Sequence, residues 1–171
     1  YGGSFLAAEA FEEKRFYVRG TASNFTVQFH PRRPEYEPFV LRTVPSQPAG
    51  PLVINELLAD NDQGDVDEKG ENEDWVELLN TGSVAYDLSG HYLSDDIHER
   101  KQWPFPAGTS IPAGGFLRIW CDKEPGDGPL HATFKLSDEG EEVFLVDTDA
   151  RGNKVLDGIL FADQSSDRSF G

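Results

Sequence analysis

The chain has 171 residues, 12% of them aromatic, and a formal net charge of −16 from 31 acidic and 15 basic residues. That length accommodates one full domain with a real core and a smaller piece beside it. The acidity argues against a nucleic-acid backbone or an anionic membrane surface as partner, because both need cationic patches. No apolar run approaches the roughly 18 residues of a membrane-spanning helix. The single cysteine, Cys121, rules out an internal disulfide and a thiolate cluster. The chain starts at Tyr1 and contains no Met, so it is expected to be a segment of a longer protein, with any signal peptide or anchor outside it.

Residues 1–47 are nearly neutral, with Glu9, Glu12, Glu13, Glu35 and Glu37 against Lys14, Arg15, Arg19, Arg32, Arg33 and Arg42. The acidity lies beyond them, and the shift marks a boundary. Residues 7–15, with their Ala and Glu, lean weakly towards a helix. Three β-like runs are Phe16-Tyr17-Val18, Phe25-Thr26-Val27-Gln28-Phe29 and Phe39-Val40-Leu41. The alternation of Phe25, Val27 and Phe29 with Thr26 and Gln28 is that of a half-buried strand. Asn24-Phe25-Thr26 is a glycosylation sequon inside that run, read here as a chance match. Residues 42–51 hold three prolines and a glycine, which excludes a helix or an interior strand and marks a linker. The expected division is a β-rich N-terminal segment over 1–50, the end of a preceding domain, and a second domain over 51–171.

After the linker, strand signals recur: Leu52-Val53-Ile54-Asn55-Glu56-Leu57, Asp74-Trp75-Val76-Glu77-Leu78-Leu79, Tyr92-Leu93-Ser94, and residues 116–120, 142–146 and 155–161. Turn clusters separate them, among them Asn80-Thr81-Gly82, Pro112-Ala113-Gly114-Gly115 and Arg151-Gly152-Asn153. Short β segments spaced by Gly, Pro and Asn turns predict an all-β sandwich or barrel. Within the strands, Leu117, Ile119 and Cys121 oppose Phe116, Arg118 and Trp120, while Val143 and Leu145 oppose Glu142, Phe144 and Val146. Cys121, in its apolar run, reads as a buried thiol acting as a small hydrophobe.

The familiar catalytic strings are missing. There is no Gly-x-Ser-x-Gly. His98-Glu99 begins like a zinc-protease helix, but Gln102 stands where the second His should fall. His30, His91, His98 and His131 share no ligand spacing and are expected in surface or capping roles. The run from residue 60 to 74 is the one local feature that could carry chemistry, with eight carboxylates against Lys69 alone. Such a loop is either solvated or shares its charge with a cation. Hard oxygen ligands in a Gly-containing loop are what Ca²⁺ takes. The candidate ligands are Asp60, Asp62, Asp65, Asp67 and Glu71, although the EF-hand template fits in neither register. Counted from Asp60, Gly64 and Asp65 are transposed; counted from Asp65, Lys69 and Val76 fail.

Val53-Ile54-Asn55-Glu56-Leu57, Glu73-Asp74-Trp75-Val76-Glu77-Leu78-Leu79-Asn80 and Asp87-Leu88-Ser89-Gly90-His91-Tyr92-Leu93-Ser94-Asp95 resemble the opening of bacterial lamin-tail domains. The likeness runs on through Trp103-Pro104-Phe105-Pro106-Ala107-Gly108-Thr109, Ile111-Pro112-Ala113-Gly114-Gly115-Phe116, Phe134-Lys135-Leu136-Ser137, Gly140-Glu141-Glu142-Val143 and the closing Asp167-Arg168-Ser169-Phe170-Gly171. The order and spacing of these fragments over 52–171 carry the resemblance; residues 1–50 lie outside it. It implies an immunoglobulin-like β-sandwich without a catalytic residue set, with Trp75 and Trp103 as core aromatics and glycine turns at 87–90 and 112–115. Glu56 and Glu77, charged residues in strands, either pair with Arg118 or Lys135 or face solvent, and the second is expected. The resemblance further implies an accessory module of a larger exported or cell-surface protein, acting beside neighbouring domains as a spacer or holding a protein or glycan partner. The nucleic-acid binding of basic lamin tails does not transfer to so acidic a chain, and no membrane insertion is expected. No cofactor is expected other than Ca²⁺ on the acidic loop, where the rival readings are a Ca²⁺-dependent domain and a metal-assisted hydrolase.

Overall fold

The computed structural model describes four short N-terminal strands and residues 50–171. The chain divides into two compact units, Tyr1–Pro45 and Ser46–Gly171. In the first, β1 (Glu13–Phe16) pairs antiparallel with β4 (Phe39–Arg42), and β2 (Val18–Thr21) with β3 (Val27–His30). The helical lean of residues 7–15 is therefore wrong at Glu13, Lys14 and Arg15, where pairing with β4 overrides a weak local propensity. The remainder of that stretch, and Asn24 of the sequon, lie outside the described residues.

The second unit is all-β, built of two four-stranded sheets. The first runs in the order β12–β11–β6–β5, from β5 (Leu52–Leu58), β6 (Trp75–Asn80), β11 (Phe116–Cys121) and β12 (His131–Ala132). The second runs β14–β13–β8–β9, from β8 (Tyr92–Ser94), β9 (Trp103–Pro104), β13 (Gly140–Val146) and β14 (Val155–Ala162). A two-residue ladder joins β7 (Tyr86–Asp87) to β10 (Ser110–Ile111). Pro104, which has no N–H to donate, is placed on the edge strand β9, where none is needed.

The core is supplied from both sheets. Ile54, Val76, Leu78 and Ile119 come from the first and Leu93, Val143, Leu145, Leu156 and Phe161 from the second, with Trp103 and Cys121 in the same cluster. This is the immunoglobulin-like sandwich, and the strand alternation read from the sequence selects the correct inner face. Trp75 departs from that core. It is buried in a second, smaller cluster with Leu58 and Trp120, on the outer side of the first sheet. The turn glycines serve as expected at Gly90 and Gly114, whose φ values of 74° and 64° suit a residue without Cβ.

Two polar devices fix the sheets. Asn80 is wholly buried and donates from Nδ2 to the carbonyls of Val84, Ile111 and Pro112 at 2.8, 3.0 and 3.1 Å, while its Oδ1 accepts from Gly82. The register of β5 against β6 shifts between Ile54 and Glu56, a bulge that re-aims the strand. Beside it the Ile54 N–H donates to Asp157 on β14 at 2.8 Å, bridging the two sheets.

Leu145→Ala should destabilise this unit by about 2–5 kcal/mol, the usual cost of a cavity in a closed core. All three tryptophans lie in this unit, so urea denaturation followed by tryptophan fluorescence reads the loss directly.

Candidate functional site

The residues between β5 and β6 form an irregular loop that contains every carboxylate singled out from the sequence. Backbone groups hold it in shape. Asn61 donates from Nδ2 to the carbonyls of Asp65 and Glu73, both at 2.8 Å, and its Oδ1 accepts from Gly64 at 3.0 Å. Asp167, near the C-terminal end, accepts the N–H groups of Asp62 and Gln63 at 2.9 and 2.8 Å. The loop is thus tied to a residue more than 100 positions away, and Gly64 comes close to Leu58, whose Cδ2 would stand 3.9 Å from an added Cβ.

Five candidate ligands do not converge on one point. The Asp60 carboxylate accepts from Ser166 Oγ. Asp65 pairs with Arg118 at 2.6 Å, and the Arg118 guanidinium lies 4.5 Å from the Trp75 ring centre and 5.6 Å from that of Trp120. Asp62 is exposed, and the hydrogen bond described for it comes from its backbone N–H. Asp67 and Glu71 alone come together, and Asp127 joins them, each with an oxygen within 4.8 Å of the others.

Asp67 is the exception in this exposed loop, being only 8% exposed. Its Oδ1 accepts from the backbone of Lys69 and Glu71, both at 2.8 Å, while Oδ2 is buried without a hydrogen-bond partner among the described residues. Burial pushes its carboxyl up, but the N–H groups of Glu71, Lys69 and Gly70 outweigh burial and hold it below the ordinary range. The carboxylate is therefore ionised at neutral pH. Facing it are two buried residues from other segments: Asp122, just past β11, and His131, on β12. Short parallel pairing places Trp120 opposite His131.

His131 Nδ1 bonds to Asp122 Oδ2, and Nε2 lies 3.0 Å from Glu68. Burial works against protonation of this ring, yet the hydrogen bonds to Glu68 and Asp122 raise its affinity for a proton. Gly128 packs on the ring, where an added Cβ would stand 2.8 Å from Cδ2. A surface or capping role is thus wrong for His131. It is wrong for His91 as well, which is buried beside Asp147 at 3.4 Å. His98 is exposed as expected; the side chain of His30 lies outside the described residues. No local spacing could have shown His131, because its partners arrive from separate segments. The available signal was the turn-rich span 125–129, Pro-Gly-Asp-Gly-Pro, which folds His131 back beside Asp122.

The Lamin Tail Domain family model matches residues 45–159. The chain belongs to the lamin tail domain family. No curated protein matches it, and neither does any solved structure. In this lamin tail domain the strand carboxylates have definite partners instead of simply facing solvent: Glu77 accepts from Asn55 at 2.9 Å and Glu56 from Ser169. Arg118 and Lys135 are engaged elsewhere, with Asp65 and Glu73. Cys121 is fully buried, and burial, aided by Asp74 and Asp122, pushes its thiol well above the usual range. It is a core residue without nucleophilic character.

At the end of the loop, burial raises the Asp74 carboxyl to about 6, with Lys135 opposing and Glu73 adding to the shift. As pH rises from about 4, the unfolded chain gives up this proton first, so stability falls until the folded-state group has ionised near pH 6. Asp74→Asn should raise the melting temperature at pH 7 and leave it nearly unchanged at pH 4, as read by thermal unfolding at the two pH values.

Proposed function

We propose that this lamin tail domain is a non-catalytic binding or spacer module of a larger exported or cell-surface protein. The observation that carries the reading is the use made of the loop carboxylates. Asp60, Asp65 and Asp67 are bound to Ser166, Arg118 and the loop backbone. A carboxylate so engaged orders the chain, whereas an acid–base or nucleophilic group must be able to reach a substrate. The metal-assisted hydrolase therefore gains no support from the geometry.

A protein partner is favoured over a glycan by the outer face of the first sheet. Register places Val53, Leu79 and Phe116 side by side across β5, β6 and β11. Val53 and Leu79 are half-buried, and Phe116 is 56% exposed. The next positions on that face are polar, with Glu77 opposite Arg118. An apolar centre beside a charged rim is the usual anatomy of a protein contact.

Assays of the full chain against esterase, phosphatase, nuclease and glycosidase substrates, with and without divalent metals, are expected to show no turnover. Metal-dependent turnover abolished by Asp60→Ala or Asp65→Ala would overturn the proposal.

A further inference from the structure

We propose that Asp67, Asp122 and His131 form a binding site for a divalent transition metal of the zinc type, which pins the acidic loop to the edge of the first sheet. The three come from separate segments: the β5–β6 loop, the end of β11 and β12. Each offers one ligand atom within 4.8 Å of the other two, and all three residues are buried. The second observation is the state of Asp67. Its Oδ2 is buried without a partner among the described residues, in a side chain only 8% exposed, and a bare, buried carboxylate oxygen is costly unless something shares its charge. A cation between these donors supplies that partner.

The donor set selects the metal. Ca²⁺ and Mg²⁺ take oxygen ligands, whereas an imidazole beside two carboxylates suits zinc and its neighbours. Both His131 nitrogens face carboxylates, Asp122 at Nδ1 and Glu68 at Nε2. With Nδ1 turned to the metal beside Asp122, Nε2 retains Glu68 as the acceptor that fixes the ring, as is usual for metal-bound histidine. The metal binds the lone pair of a neutral ring, so a protonated ring releases one proton to solvent as it binds. Gly128, in contact with the ring, leaves no room for a side chain there. The site is structural in character and does not depend on which partner the outer sheet face binds.

The test is calorimetric titration of the chelator-treated chain with ZnCl₂ at pH 7.5. One equivalent should bind, and free Zn²⁺ at about 100 times Kd should raise the folding equilibrium constant about a hundredfold, seen as a higher Tm. Asp67→Asn, which keeps an oxygen for the Lys69 and Glu71 amides, and His131→Gln should each weaken binding at least about tenfold. Glu71→Gln and Asp127→Asn should leave it unchanged. If His131→Gln fails to fold, ¹⁵N resonances of the wild-type imidazoles provide the readout: one histidine of the four should shift on adding zinc. Absence of saturable zinc binding would overturn the proposal. So would binding that survives Asp67→Asn, that is lost only in Glu71→Gln or Asp127→Asn, or that is matched by Ca²⁺.

Discussion

The Asp67 carboxylate organises the turn of the acidic loop through one oxygen, accepting from the N–H groups of Lys69 and Glu71. Eight carboxylates between residues 60 and 74 could not share one turn without mutual repulsion. A pair of like charges 4 Å apart costs about 1 kcal/mol even in water, and more near a protein surface. The fold disperses them instead. Asp60 goes to the C-terminal segment, Asp65 to Arg118, Glu68 to His131 and Glu73 to Lys135. Singly, an exposed pair such as Asp65 with Arg118 is worth about 0–1 kcal/mol. Their joint effect is positional, because each fixes a different stretch of the loop against a different part of the sandwich.

That arrangement explains why the outer side of the first sheet can bury two tryptophans. Trp75 and Trp120 sit opposite one another on β6 and β11, with Leu58 beside Trp75 on β5. Arg118 lies over both rings, held there by Asp65. Arg118, tied to the loop through Asp65, lies over this second cluster, just as the second sheet lies over the main core. A sheet with apolar side chains on both faces needs two covers, and Arg118, held by the charge-rich loop, supplies part of one of them.

Much of this was legible in the sequence because period-two alternation is a local signal. Leu117, Ile119 and Cys121 declared one face of β11, and Leu57, Val76 and Leu78 fell into the core with their strands. What could not be read was whatever depends on long-range register. β12 is two residues long, too short to show a period, and it pairs parallel to β11 after a turn-rich connection that carries no strand signal of its own. His131 therefore looked like an isolated polar residue. The bulge in β5 is invisible without the partner strand. Glu56 and Glu77 looked solvent-facing because Ser169 and Asn55 reach them only once β5 is bent and the C-terminal segment is laid alongside it, where Leu57 and Phe170 exchange backbone hydrogen bonds at 2.9 and 2.8 Å. The acidity of the loop was plain from the start; its division among partners was not. Family membership fixes the sandwich, and function must be sought in what this chain places upon it.

The acidic loop is an ordered part of the fold and not a solvated tether. Amide hydrogen exchange measured by NMR at neutral pH tests this most directly. The N–H groups of Gly64, Lys69 and Glu71 accept no help from strand pairing, so any protection must come from Asn61 and Asp67. Exchange at these three amides should be much slower than in an unstructured peptide, and comparable with the flanking ends of β5 and β6. Exchange at the unstructured rate, with the strands still protected, would contradict it.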